Sequence, residues 1–383
     1  MSVSRRHTSI ILLAALGCLG RPAPAATQTS TLVPAGGARP AAVQAAAPRD
    51  GSHDFDFTLG TWHTHLRRLQ HPLSGSSTWY EVDGTVTIRP IWDGKGDDIE
   101  ELELDGPNGH LEGLTLRLYD PQARQWNLSW SNASDGTIGQ PLIGEFDAKD
   151  GRGEFVAQDT DNGRTILVRQ VYSEITAATH HFEQAFSDDY GKTWEPNWVA
   201  TLTRADGPGA PPPAGAPAPA TGAGGSINHD FDFNLGRWRT HVSRRLHPLA
   251  GSDVWAEYDG TSVVDEVWHG RASLMKLDVA GPAGRLRGMG LRLYNPAAKQ
   301  WGLNWVSGGG GTLSGQPMVG EFRGGRGDFV DREAWNGRTI YVRNSFSDIT
   351  PHGSHFEQAF SADGGKTWET NWIMTFTAAE PRR

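Results

Sequence analysis

The sequence predicts an all-β chain built as two antiparallel β-domains in tandem, and three observations carry that reading. The chain repeats itself: "HDFDFTLGTW" at His53–Trp62 returns as "HDFDFNLGRW" at His229–Trp238, and "HFEQAFSDDYGKTWEPNW" at His181–Trp198 returns as "HFEQAFSADGGKTWETNW" at His355–Trp372. A period of about 175 residues is far above the 20 to 50 of solenoids and propeller blades, so each copy is a whole domain. Within a copy, short runs alternate in the manner of half-buried strands. Turn clusters such as "DPQARQ", "DNGR" and "DGPNG" divide those runs, and no segment holds a helical period beyond three turns.

Taken in order, the chain opens with Arg5, Arg6 and His7, a short apolar run from Ile10 to Leu19, and Ala23-Pro24-Ala25. This reads as an export signal over residues 1–25, too short to span a membrane as a helix. Ser4-Arg5-Arg6 hints at the twin-arginine route, and Cys18 fits a lipid-attachment box poorly; ordinary periplasmic or secreted export is the expectation. Cys18 is the single cysteine of the 383 residues. Its removal with the signal leaves no disulfide, thiolate nucleophile or cysteine-bound metal to invoke. Residues 26–50 form a linker rich in Ala, Pro and Thr, residues 51–205 the first domain, 206–225 a Pro/Ala/Gly linker, and 226–380 the second domain. The formal charge of -9 argues against a nucleic-acid partner, which needs a basic face. Oligomeric state is not readable.

The strands of one copy include "STWYEVDGTVTI", with Trp79, Glu81 and Asp83 on one side. "LTLRLY" sets Leu114, Leu116 and Leu118 against Arg117 and Tyr119, and "RTILVRQ" places Ile166 and Val168 together. About eight such strands in about 150 residues make a closed barrel or a sandwich; closure would remove exposed strand edges. Fourteen of the 15 tryptophans pair off between copies. Trp335 alone has no mate and stands where the first copy has Asp161.

"SDDYGKTW" and "SADGGKTW" fit S-x-D-x-G-x-T-W, which resembles the Asp-box of sialidases and related propellers. There it is a hairpin turn, and every residue type in it has a turn role. With one box per copy, the reading is a structural hairpin. "GTW" at Gly60–Trp62 and "GRW" at Gly236–Trp238 resemble the Gly-x-Trp that opens the first strand of lipocalins, fatty-acid-binding proteins and nitrobindins, the calycin barrels. Each copy as a whole is similar to a calycin-like family of bacterial exported proteins of unknown function. "HDFDF", "LEGLTLRLYDP", "IGEF", "NGRTILVR" and "GKTWE" carry the likeness across residues 51–205 and again 226–379. The resemblance implies two calycin-like antiparallel β-barrels, each with an interior cavity. It implies no activity, because fold does not fix function.

Candidate site residues follow from strand alternation. His181 and Glu183 share one face of their strand, repeated by His355 and Glu357, and a carboxylate beside an imidazole suits a general base. These four are the catalytic candidates of an acid-base lyase, isomerase or hydrolase; a solvated His/Glu face is the plainer alternative. Trp79, Glu81, Arg117 and Arg169, with Trp255, Glu257, Arg292 and Arg343, are candidate ligand-binding residues in which indoles stack on a ring and charges orient it. Outward salt bridges are their plainer reading. His63 and His65 have a metal-compatible spacing, but the second copy has Arg239 and His241 and no third ligand is evident, so no metal is assigned. A haem would need an interior histidine, for which His181 or His355 could serve; nothing else marks a haem pocket, and no cofactor is expected. The leading expectation is an exported protein that binds a small amphipathic, aromatic or sugar-like ligand, without an integral membrane span. A structural envelope protein is the third possibility. The stretch "DGKGDDIEELELDG" at Asp93–Gly106 is acidic, whereas its counterpart in the second copy, "HGRASLMKLDVAG" at His269–Gly281, is basic and apolar, so the two barrels are not expected to bind the same thing equally.

Overall fold

Each copy closes into a barrel because its first strand, Gly60–Leu69 or Gly236–Arg245, pairs with both its neighbour in sequence and the last strand of the same copy. In the computed structural model the described residues are 49–92, 96–107, 109–205 and 228–379. The expected export signal, nearly all of the 26–50 linker and the 206–225 linker lie outside them.

The first barrel runs β1 Gly60–Leu69, β2 Trp79–Pro90, β3 Asp98–Gly106, β4 Gly109–Asp120, β5 Gln125–Asn132, β6 Leu142–Phe146, β7 Gly153–Asp161, β8 Arg164–Ser173, β9 Thr179–Ser187 and β10 Glu195–Arg204. The second runs β11 Gly236–Arg245, β12 Trp255–Val267, β13 Ala272–Gly281, β14 Gly284–Asn295, β15 Gln300–Ser307, β16 Met318–Arg323, β17 Arg326–Trp335, β18 Arg338–Thr350, β19 Gly353–Ser361 and β20 Glu369–Ala378. Both are closed antiparallel barrels of ten up-and-down strands. Ten strands replace the expected eight because short ones, such as the five-residue β6, carry too few residues to declare a period. Two ten-stranded barrels in tandem fit a calycin-like arrangement.

One end of each barrel is plugged by the segment before its first strand. Phe55 packs edge-on against Trp126, Phe146 and Tyr172, with centroids 4.9 to 5.1 Å apart, and Phe231 packs edge-on against Trp301, Phe322 and Phe346 at 4.9 to 5.3 Å. The Trp of each Gly-x-Trp is buried. Trp62 Nε1 donates to the Thr58 carbonyl at 2.6 Å and Trp238 Nε1 to that of Asn234 at 2.7 Å.

The barrels dock on each other through the outer faces of β3–β4 and β13–β14. Leu114, Leu116 and Leu118 meet Leu274, Leu291 and Leu293 there in one buried cluster. Charge crosses the seam with one sign on each side. Glu112 pairs with Arg271, Glu103 with His269 at 3.2 Å, and Glu101 accepts the Trp268 backbone N–H at 3.1 Å. Trp268 Nε1 donates to the Gly113 carbonyl at 3.1 Å, while Arg287 of the second copy lies 4.5 Å over Trp92 of the first. The acidic and basic stretches that distinguish the copies thus meet at this seam.

Candidate functional site

Which strand face looks inward is settled by closure. On β9 the inward residues are His180, Phe182, Gln184 and Phe186, and with Trp130 and Trp198 they line a cavity of about 310 Å³ in the first barrel. The second holds one of about 300 Å³, lined among others by Trp305, Phe356, Gln358, Phe360 and Trp372. The aromatic plug fills one half of each interior and leaves the other half to the cavity.

Arg117 sits at the junction of plug and cavity, fully buried. Its β4 neighbours Leu114, Leu116 and Leu118 point outward into the seam, so the guanidinium takes the inner face. It donates to Asp98 at 3.0 Å and to Thr58 at 3.3 Å, pairs with Glu100, and lies 4.6 Å from the Phe55 ring. Glu100 also accepts from Thr115 Oγ1 at 3.0 Å and lines the cavity. One cation therefore serves two carboxylates. Burial raises the Asp98 carboxyl to about 7 against the pull of Arg117, so the cluster tends towards neutrality. Burial, with Arg117 and Arg204 nearby, pushes the His180 imidazole down to about 3. His180 is therefore a neutral ring, wedged edge-on against Trp62 at 4.5 Å.

The second barrel keeps the arginine and drops its partners. The strand register pairs Asp98 with Arg117 on β3–β4, and Ser273 with Arg292 on β13–β14. Two residues on, Glu100 is replaced by Met275. Arg292 is 3% exposed and reaches Asn234 Oδ1 at 2.8 Å and Met275 Sδ at 3.5 Å. It lines the cavity, its Nη1 makes no hydrogen bond within the protein, and burial alone lowers its pKa to about 9. A guanidinium gives up its proton reluctantly, so it remains a cation at neutral pH.

Of the twelve residues expected from sequence, Arg117 and Arg292 face the barrel interiors. The other ten occupy the outer wall or strand ends and line neither cavity. Trp79 lies under Arg67 at 5.3 Å and Trp255 under Arg245 at 4.8 Å. Glu81 and Glu257 are exposed beside His65 and His241. Arg169 and Arg343 each stack 4.5 Å over the Trp of the Asp-box, Trp194 and Trp368, and Arg169 approaches Glu183 at 3.7 Å. His355 Nε2 stands 3.6 Å from Glu357. Alternation turns His181, Glu183, His355 and Glu357 outward once Phe182 and Gln184 face in. His65 bonds Asp83 at 2.8 Å on the outer wall, and among the described residues no cluster of three or more His, Cys, Asp or Glu is arranged to hold a metal ion.

The Asp-box residues form a turn. Ser187 Oγ donates to Asp189 at 2.8 Å and accepts from the Gly191 N–H at 2.8 Å, while Asp189 accepts from the N–H groups of Lys192 and Thr193 at 3.0 Å. Gly191 takes φ of 82°, which its lack of a Cβ permits. The second copy repeats these bonds through Ser361, Asp363 and Gly365.

Sequence reasoning missed His180, Gln184, Glu100, Asn344, Gln358 and Asp331. For His180, Gln184 and Gln358 the signal was present in the alternation that put His181 with Glu183 and His355 with Glu357, since their strand neighbours take the other face.

No family model matches the chain, and no curated protein matches it. Among solved structures, a protein of unknown function from the DUF3598 family of Nostoc punctiforme PCC 73102 aligns over 87% of this chain and 100% of its own, at 10% identity and a TM-score of 0.23. Transferrin binding protein B, a vaccine antigen of Haemophilus parasuis Hp5, aligns over 83% of this chain and 76% of its own, at 7% identity and a TM-score of 0.18. At TM-scores this low neither likeness bears on function. Among the described residues no helix is long and apolar enough to cross a membrane.

Proposed function

We propose that the chain is an exported small-molecule-binding protein whose two barrels each receive a ligand that is partly apolar and partly hydrogen-bonding. The carrying observation is the half-plugged interior. Each barrel keeps about 300 Å³ free of its own side chains, at the small end of the ~300–1,000 Å³ typical of ligand pockets. Indoles and phenyls supply the walls, and amides, with Glu100 in the first barrel and Arg292 in the second, supply the polar contacts. Export rests on the basic start, apolar run and Ala-Pro-Ala of residues 1–25. The acid-base reading through His181, Glu183, His355 and Glu357 draws less support, since those groups lie outside the enclosed space where water exclusion and orientation would operate.

Native mass spectrometry of the protein isolated from its own cell envelope tests the reading. A small mass released on denaturation, with a stoichiometry of one or two, is expected. A ligand-free protein whose melting temperature no library of aromatic and sugar-like compounds raises would remove the proposal.

A further inference from the structure

We infer that the second barrel takes a small organic carboxylate, bound by Arg292, whereas the first barrel neutralises its equivalent arginine internally and takes an uncharged ligand. The inference rests on the cavity reading above and specifies its chemistry. Duplicated domains supply an internal control: the same strand position carries arginine in both, and only the surroundings differ. Around Arg117 stand Asp98 and Glu100. Around Arg292 the matching positions are Ser273 and Met275, and none of the described carboxylates lies within ion-pair distance.

A buried cation without a counter-charge is costly and is tolerated where something else compensates it. Arg292 differs from a merely misplaced core residue because it lines the cavity and its Nη1 has no partner within the protein. A guanidinium fork matches a carboxylate in geometry as well as charge. The other ionisable groups on the same wall do not replace such a partner. Arg245 is engaged with Asp253 and Glu369, and burial raises the carboxyls of Asp331 and Glu333, Asp331 to about 7, which weakens their competing negative charge.

A second contrast points the same way. Six residues that line the second cavity each carry a buried polar atom without a hydrogen bond in the protein: Arg292 Nη1, Asp331 Oδ1, Trp335 Nε1, Asn344 Oδ1, Asn371 Nδ2 and Trp372 Nε1. Among residues lining the first cavity only His180 Nδ1 is in that position. There Gln170 Nε2 donates to Gln184 at 3.2 Å and Gln184 Nε2 to Asn197 behind it at 3.1 Å, although Asn197 Nδ2, like Asn371 Nδ2, has no partner. Groups so placed recognise a polar molecule at several points, and Trp335, the tryptophan without a mate in the first copy, is among them.

The test is a titration of the full chain with benzoate and 3-phenylpropionate against their neutral amides, followed by tryptophan fluorescence and thermal shift. The carboxylates should bind at least tenfold more tightly than the amides. Two substitutions should each abolish that preference: Arg292→Met, which removes the charge at similar bulk, and Met275→Glu, which rebuilds the internal pair of the first barrel. Both should leave the melting temperature unchanged or higher, so that lost binding cannot be confused with unfolding. Equal affinity for acids and amides, or a carboxylate preference that survives both substitutions, would overturn the assignment to Arg292 while leaving the cavity reading standing. Absence of binding by every probe, together with no retained mass from the native envelope, would overturn both.

Discussion

Two residues show how far a single side chain's setting decides its chemistry. His180 is buried as a neutral ring and its pKa lies near 3 instead of 6.5. Between those values the unfolded chain binds a proton that the folded chain refuses, so stability falls as pH drops through that window, by at most about 1.4 kcal/mol per pH unit. His180→Ser, which installs the residue of the second copy at Ser354, should flatten this acid dependence; melting temperatures at pH 7 and pH 4.5 for both proteins decide it, and parallel losses would exclude a neutral buried ring. Asp189 shows the opposite displacement. Hydrogen bonds from the Thr193 backbone and hydroxyl and from Ser187 lower its carboxyl to about 2. Its contribution is complete above the ordinary aspartate pKa and is lost as pH falls through the folded value. Asp189→Ala should therefore lower the melting temperature at pH 7 and leave it nearly unchanged near pH 2, whereas a residue that contacts ligand without bracing the turn would show no such pattern.

At the scale of elements, period-two alternation was legible and its direction was not. The leucines of β4 look like a barrel core, yet closure turns them to the outer face, where the second barrel covers them, and draws Arg117 inside. Sequence grouped Arg117 with Tyr119 correctly and could not say that the polar side was the interior, because both faces of this strand are buried. The same ambiguity sent His181 and Glu183 into the expected site in place of His180 and Gln184. The seam itself left a trace in the contrast between the acidic and basic stretches, legible as a difference and unassignable without the pairing. Its closeness can be tested at Gly311, where a Cβ would come within 2.3 Å of the Asp120 Cα across the seam. Gly311→Ala should destabilise the docked pair by about 1–3 kcal/mol, the ordinary cost of overpacking. Urea unfolding would register this as a loss of coincidence between the two barrels' transitions; an unchanged midpoint would mean that the loop yields freely.

For the whole molecule, residues Arg49–Arg383 behave as one compact unit in spite of containing two complete barrels. The seam accounts for this: Trp268 and His269 hold left-handed backbone angles of 51° and 52°, unusual for such residues, and are fixed there by Glu101, Gly113 and Glu103 of the other barrel. If a protease site is inserted within 206–227 and cut, the two halves should co-elute at low salt. Arg271→Ala, which leaves Glu112 without its cross-seam cation, should promote their separation as salt rises. Prompt separation of the unmodified halves would show that the covalent connection alone held them. The sign of the charges on that seam has a further consequence. Glu101, Glu103 and Glu112 on one barrel would repel a second copy of themselves, as would His269 when protonated, Arg271 and Arg287 on the other. Each half is thus a poor partner for its own kind and a good one for its sibling, so like charge turns first barrels away from first barrels and second from second, and register between unlike halves is chosen by sign as well as by shape.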